Sequence, residues 1–271
     1  MVESYLKIFL TSCLLILPLL YKTSHVFRYY AKFSIYILFC TINAVYLTPF
    51  FCLRPRHIRN FLIASRLCSP VRLLLGVKYE LRNTHYIAKD EAFIVVSNHQ
   101  SILDVLGMFH MWPIMQKCTV IARKEVFYVW PFGLGAWLAG LVFIPRTDVE
   151  KSKEIMTETC QMIKDKKAKL WIYPEGKRYS DGQIHPFKKG AFHLAISAQL
   201  PILPVVFNQY TFLNHEKKSF DQGTVIMTVL PPIPTCGKTL DDLDSILNET
   251  HQKMSTTFHE INKECEKSKK F

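Results

Sequence analysis

The chain contains no Gly-x-Ser-x-Gly elbow, no His-Glu-x-x-His element and no closely spaced cysteine pair. The first absence removes the usual serine nucleophile of an acyl-enzyme. The second removes a zinc site built on two histidines of one helix. Its eight cysteines, at positions 13, 40, 52, 68, 118, 160, 236 and 265, are far apart. They read as scattered core thiols of a reducing compartment, and no metal is expected. Internal repeats, low-complexity tracts and the signatures of helix-turn-helix, finger or RNA-binding modules are missing as well. Acidic side chains are in deficit, 22 against 34 Lys and Arg, for a formal net charge of +12. That balance suits a protein resting on anionic lipid and handling phosphate-bearing substrates. Nucleic acid, the other standard partner of a basic chain, is disfavoured because the cations are dispersed.

A basic n-region before Lys7 and a small-x-small site after Leu20 are also lacking, so the first apolar run, 8–21, is expected to remain in place instead of being cleaved as a signal peptide. It is short of the about 20 residues a spanning helix needs. A second run, 33–53, has 21 uncharged residues and is long enough. Residues 1–60 are therefore expected to form membrane-anchoring hydrophobic helices, which either cross the bilayer or dip into one leaflet as a hairpin. Arg54, Arg56, Arg59, Arg66 and Arg72 follow the second run, against Lys22, Arg28 and Lys32 between the two. The positive-inside rule then places the domain at 61–271 on the cytosolic side. The glycosylation sequon at 248–250 would face the cytosol and stay unused.

Beyond the anchor, short apolar runs alternate with longer amphipathic ones. Strands are predicted at 93–97, 119–122, 141–144, 170–173, 202–207 and 224–230, and helices at 101–111, 149–167 and 191–199. Such alternation implies an α/β domain with a mostly parallel sheet flanked by helices. Leu240, Leu243, Leu247, Met254, Phe258 and Ile261 keep a seven-residue repeat, which predicts a terminal amphipathic helix packed on the domain.

The most informative stretch is Asn98-His99-Gln100-Ser101-Ile102-Leu103-Asp104, directly after the apolar run at 93–96. A buried strand would deliver the imidazole to its carboxyl end, where open α/β sheets place ligands. With Asp104 accepting from one ring nitrogen, the other is left to take a proton from a hydroxyl. Bland alternatives exist: His99 as a core histidine bonded to backbone, and Asp104 as a carboxylate decorating a first helical turn. The same spacing recurs from His85 to Asp90 in a polar, turn-like run with no strand before it, and reads there as a surface coincidence.

Three further segments follow in order: Gly140-Leu-Val-Phe-Ile-Pro-Arg146, Tyr173-Pro-Glu-Gly-Lys-Arg178 and Leu200-Pro-Ile-Leu-Pro-Val-Val206. With the His99 stretch they resemble the four blocks of the glycerolipid acyltransferases, and within them the lysophosphatidic acid acyltransferases of the endoplasmic reticulum. The resemblance runs from about residue 70 to about residue 235 and is strengthened by 138–140 and 186–193. Pro145 stands where the family has Asp, and Lys177 where it has Thr. The resemblance implies acyl transfer from acyl-CoA to the sn-2 hydroxyl of lysophosphatidic acid at the membrane of the endoplasmic reticulum, with His99 and Asp104 catalytic and acyl-CoA a substrate, not a cofactor. It assigns the acceptor phosphate to the block of Glu175, Gly176 and Arg178, with Arg146 in the same role and Lys177 as a third cation. The turn made by Pro174 and Gly176 is expected to expose Glu175 and Arg178, with Glu175 holding Arg178 or a glycerol hydroxyl. A plain surface ion pair is the alternative. Arg123, Lys124, Lys188 and Lys189 are candidates for the phosphates of coenzyme A, with solvated charge as the alternative. Amides at the start of the helix after His99 are expected to serve the oxyanion. Rival acceptors are glycerol-3-phosphate or another lysophospholipid, and a rival of another class is a membrane lipid-binding scaffold without turnover.

Overall fold

The structure, a computed structural model, describes residues 2–145 and 148–268. Two long helices open the chain, α1 (Val2–Thr23) and α2 (His25–Cys52). Ser24 separates them, its hydroxyl accepting from the Phe27 amide as the cap of α2. Next come α3 (Asn60–Cys68), α4 (Val71–Leu75), β1 (Val77–Arg82), β2 (Phe93–Ser97), α5 (Asp104–Met115), β3 (Cys118–Arg123), a 3-10 turn (Lys124–Tyr128) and α6 (Phe132–Leu138). The remainder is β4 (Val142–Ile144), α7 (Val149–Lys166), β5 (Lys169–Ile172), α8 (Gly190–Ser197), β6 (Ile202–Phe207), the hairpin of β7 (Leu213–Asn214) and β8 (Ser219–Phe220), β9 (Gly223–Val229) and α9 (Leu243–Ser268).

Seven strands form one sheet in the order β1-β9-β6-β2-β5-β3-β4. Every neighbouring pair is parallel except β6 with β9, so the sheet is mostly parallel, as the alternation of apolar runs implies. Strand β2 lies between β5 and β6 and is buried along its whole length, which is why it reads as a continuous apolar run. Side chains alternate across it. Val95, Trp171, Leu203 and Phe207 face a core shared with α2, α3, α5 and α6, while Ile94, Val96, Leu170 and Val206 face one shared with α7, α8 and α9.

Helix α2 belongs to the first core through Tyr29, Tyr36, Leu47 and Phe51. Its Lys32 is buried, the ammonium donating to the carbonyls of Leu75 at 2.6 Å and Asp221 at 2.8 Å. The opposite side exposes Tyr30, Ile37, Leu38, Ile42, Val45, Tyr46 and Phe50. Among the described residues, α2 is the one helix long and apolar enough to cross a membrane.

Three sequence expectations shift. The helix after His99 begins at Asp104 instead of 101 and continues through Pro113 to Met115. Strand β1, whose Val-Lys-Tyr-Glu-Leu-Arg carries three charges, escaped the apolar-run criterion because it is a half-exposed edge. Leu240 leaves the apolar face of the terminal helix: it sits, 51% exposed, in a 3-10 turn capped by Thr239 and Asp242.

Candidate active site

Where the β2 ladder runs out, Asn98 fastens the strand end. Its Nδ2 donates to the Phe207 carbonyl at 3.0 Å and its Oδ1 accepts from the Phe207 amide at 2.9 Å. His99 follows with Nδ1 2.6 Å from Asp104 Oδ2. A carboxylate only accepts, so Nδ1 carries the proton of this contact and Nε2 is the ring nitrogen left as an acceptor. The same Asp104 oxygen accepts from the amides of Gln100 at 2.7 Å and Ser101 at 3.1 Å, which closes the chain between His99 and Asp104 into a tight turn. Asp104 is 0% exposed. The expectation that these helix-start amides serve an oxyanion is therefore corrected for Gln100 and Ser101, which are committed to Asp104. By contrast His85 and Asp90 are exposed, and Asp90 pairs with Lys117 at 2.6 Å, so the upstream copy of the spacing is a surface feature.

Strand register brings the third block to the first. Val96 lies opposite Ile172, and carrying that register three residues further sets His99 opposite Glu175. The His99 amide donates to Glu175 Oε1 at 2.7 Å, and the His185 amide to Oε2 at 3.1 Å. Glu175 is 4% exposed, which overturns the expectation of an exposed carboxylate holding Arg178. The turn at Gly176 (φ +75) needs the left-handed conformation glycine permits. It folds Glu175 inward while Lys177 and Arg178 stay exposed. Burial pushes the Glu175 carboxyl up to about 7, against the pull of the two amides.

Cations from three segments meet at this turn. Arg123, at the end of β3, donates from Nη2 to the Gly176 carbonyl at 2.8 Å. Lys188 covers Gly176 so closely that a Cβ there would lie 2.9 Å from its Nζ. Lys177 sits over the Tyr179 ring, 4.7 Å from its centroid. Arg178 makes itself felt at His215, whose imidazole is held below the usual range by burial first and then by Lys218 and Arg178. Lys124 opens the exposed 3-10 turn, whereas Lys189 pairs with Asp244 of α9 at 2.7 Å. Arg146 lies outside the described residues.

Tyrosines are what the sequence reading missed. The Tyr173 ring stacks on His99 with centroids 4.0 Å apart and planes at 19°, so it fixes the plane of the imidazole. The hydroxyls of Tyr173 and Tyr210 are buried near Asp104, whose second oxygen is buried as well. Burial, and then the charge of Asp104, raises both phenols well above their ordinary range. Tyr173 was visible as the residue before Pro174, where the resembling block carries Phe; nothing in the local sequence marks Tyr210. A polar cavity of about 280 Å³ adjoins the site, lined in part by Gln100, Ser101, Tyr210 and His215.

The chain is similar to known proteins along most of its length. The family described as Acyltransferase matches residues 78–208, which include His99, Asp104, Glu175 and Arg178. Human 1-acyl-sn-glycerol-3-phosphate acyltransferase alpha is 36% identical over 250 residues, covering 91% of this chain and 87% of its own length. The human beta form is 37% identical over 259 residues, covering 94% and 92%. In three dimensions the chain is similar to the crystal structure of the 1-acyl-sn-glycerophosphate (LPA) acyltransferase, PlsC, from Thermotoga maritima, with a TM-score of 0.64 over 86% of this chain and 96% of that one. At 21% identity, that likeness speaks for the fold.

Proposed function

Because the chain belongs to the 1-acyl-sn-glycerol-3-phosphate acyltransferase family, we propose that it transfers an acyl chain from acyl-CoA to the sn-2 hydroxyl of lysophosphatidic acid, yielding phosphatidic acid. The observation that carries the mechanism is the 2.6 Å contact between His99 Nδ1 and the buried Asp104 carboxylate at the carboxyl end of β2. Nε2 takes the proton of the acceptor hydroxyl, and the oxygen attacks the thioester carbonyl. The tetrahedral intermediate collapses with cleavage of the C–S bond, and the imidazolium returns its proton to the CoA thiolate. Asp104 stabilises the imidazolium while it lasts and holds the neutral ring in the tautomer with the proton on Nδ1. No redox change occurs, so the reaction calls for no cofactor, and acyl-CoA enters as substrate.

Arg178 and Lys177, with the amides of the Gly176 turn and Arg146, take the acceptor phosphate in this reading; an arginine fork matches phosphate geometry. Glu175 does not touch the phosphate. It clamps the His99 and His185 backbones and so joins the catalytic turn to the phosphate turn. Arg123 and Lys188, which meet at Gly176, serve CoA or acceptor phosphates, with Lys124 and Lys189 further out. The setting is the endoplasmic reticulum membrane with the α/β domain on its cytosolic face.

The test offers labelled oleoyl-CoA to the purified protein in mild detergent with lysophosphatidic acid, glycerol-3-phosphate or lysophosphatidylcholine, beside His99→Ala. Label in phosphatidic acid alone, lost in the variant while folding and membrane attachment persist, is the expected result. Transfer to another acceptor keeps the mechanism and replaces the substrate. Turnover retained by His99→Ala removes His99 as base, and no transfer by well-folded protein favours the scaffold.

A further inference from the structure

Between the 3-10 turn and α6 the chain presents Tyr128, Val129 and Trp130 in succession, 69%, 58% and 77% exposed. A folded domain rarely leaves such a run in water without a use for it. Its exposure does not come from slack. The half-buried Phe127 ring meets Phe143 edge-on at 5.6 Å, the Gly133 amide donates to the Val129 carbonyl at 2.7 Å, and a Cβ at Gly133 would collide with the Phe127 carbonyl. The turn is thus clamped from both sides with its aromatic side chains outward.

Its neighbours identify the partner. Helix α6 lies directly on α2, with the Cβ position of Gly135 3.5 Å from Ala44 Cβ, and α2 is the helix of bilayer-spanning length and composition. The far end of α6 is tied to the segment leaving α2, since the Arg56 amide donates to the Leu138 carbonyl at 2.8 Å. The Arg56 guanidinium lies over the exposed Trp137 ring, 5.7 Å from its centroid. Arg54, Arg56 and Arg59 are exposed there beside Leu53, as are Lys124 and the acid Glu125 in the 3-10 turn. Trp and Tyr flanked by Arg and Lys is the composition that settles at the headgroup level of an anionic bilayer.

We propose that the aromatic turn at 128–130, carried by α6 against α2, is a second lipid-contacting element that inserts into the interfacial layer of an anionic bilayer. The turn follows β3, and the carboxyl end of β3 lies on the same edge of the sheet as that of β2. Insertion therefore holds the edge bearing His99 toward the membrane. Arg123, which directly precedes the 3-10 turn leading into the aromatic residues, bonds to Gly176 and couples the element to the loop after β5. The inference does not depend on which acceptor is used.

The sequence has four tryptophans, and Trp112 and Trp171 are fully buried. Trp137→Phe consequently leaves Trp130 as the exposed reporter, with Trp130→Phe/Trp137→Phe as the background. The full chain is reconstituted into phosphatidylcholine vesicles containing phosphatidylserine, with lipids brominated near the top or near the end of the acyl chain. Expected is strong quenching of Trp130 by the shallow bromines, weaker quenching by the deep ones, and little by aqueous acrylamide. Quenching by acrylamide but not by either bromolipid overturns the proposal, as does failure of the protein to float with the vesicles. Trp130→Asp, on an exposed side chain that leaves the fold intact, is expected to lower acyl transfer to a long-chain acceptor in vesicles several-fold and to spare transfer to a short-chain acceptor in solution. Equal effects on both acceptors would also overturn it.

Discussion

Asp104 spends one carboxylate oxygen on three donors, His99 Nδ1 and the amides of Gln100 and Ser101, so it holds both the imidazole and the turn that presents it. In Asp104→Asn the amide retains the shape but loses the charge and the preference for an Nδ1-protonated imidazole. The expected loss is about 10³–10⁴-fold in kcat with KM little changed, measured by steady-state kinetics on protein whose Tm is checked in parallel. Glu175 makes a prediction in pH. Its folded value of about 7 exceeds the ordinary 4.5, so between those values the native state binds more protons than the unfolded chain. Stability then falls as pH rises through that window and levels off above it, by up to about 3 kcal/mol. Glu175→Gln is expected to flatten this slope in denaturant titrations at about pH 5 and about pH 8, at the cost of one backbone hydrogen bond.

At the scale of elements, β2 and β5 set the site through their register, and each contributes what lies just past its end. The turn after β5 depends on Gly176, at φ +75 with Lys188 packed on it. Gly176→Ala should cost about 1–2 kcal/mol for the left-handed conformation and shift Lys188, visible as a lower denaturation midpoint and a raised KM for the phosphate-bearing acceptor. Strands β2 and β6 were legible from the sequence to the residue, because strands buried on both faces are continuous apolar runs bounded by polar turns. The helix start after His99 was not legible. Residues 101–103 look helical in composition, yet the Asp104 carboxylate draws the Gln100 and Ser101 amides into a turn and delays the first helical residue. Short α3, α4 and α6 went unseen for another reason, since their apolar residues face the neighbouring α2 and each is too brief to show a period.

For the whole molecule, the proposed membrane setting calls on both the +12 charge and the apolar face of α2, one screened by salt and the other not. Binding to vesicles containing phosphatidylserine is expected to weaken as salt rises past about 0.1 M, where the Debye length is about 10 Å, and then to reach a plateau supported by apolar contacts. A binding curve that falls to nothing would show that charge alone holds the protein to lipid. Lys32 makes α2 part of the folded body: its ammonium joins α4 and the loop before β9 by two carbonyl bonds.

What the sequence by itself determined is the chemistry available and the layering. Continuous apolar runs alternating with amphipathic ones specify a mostly parallel sheet, and the five-residue spacing of His99 and Asp104 survives into the fold because it is closed within one local turn. What only the tertiary structure decided involves partners distant along the chain. The burial of Glu175 against the His99 amide comes from strands 76 residues apart. The stacking of Tyr173 on His99, and the meeting of Arg123 and Lys188 at Gly176, likewise depend on how β2, β3, β5 and the loop before α8 converge. Local sequence encodes local hydrogen bonds and the period of burial, whereas which side chains share a site is set by strand order and register, quantities that exist only once the sheet has formed.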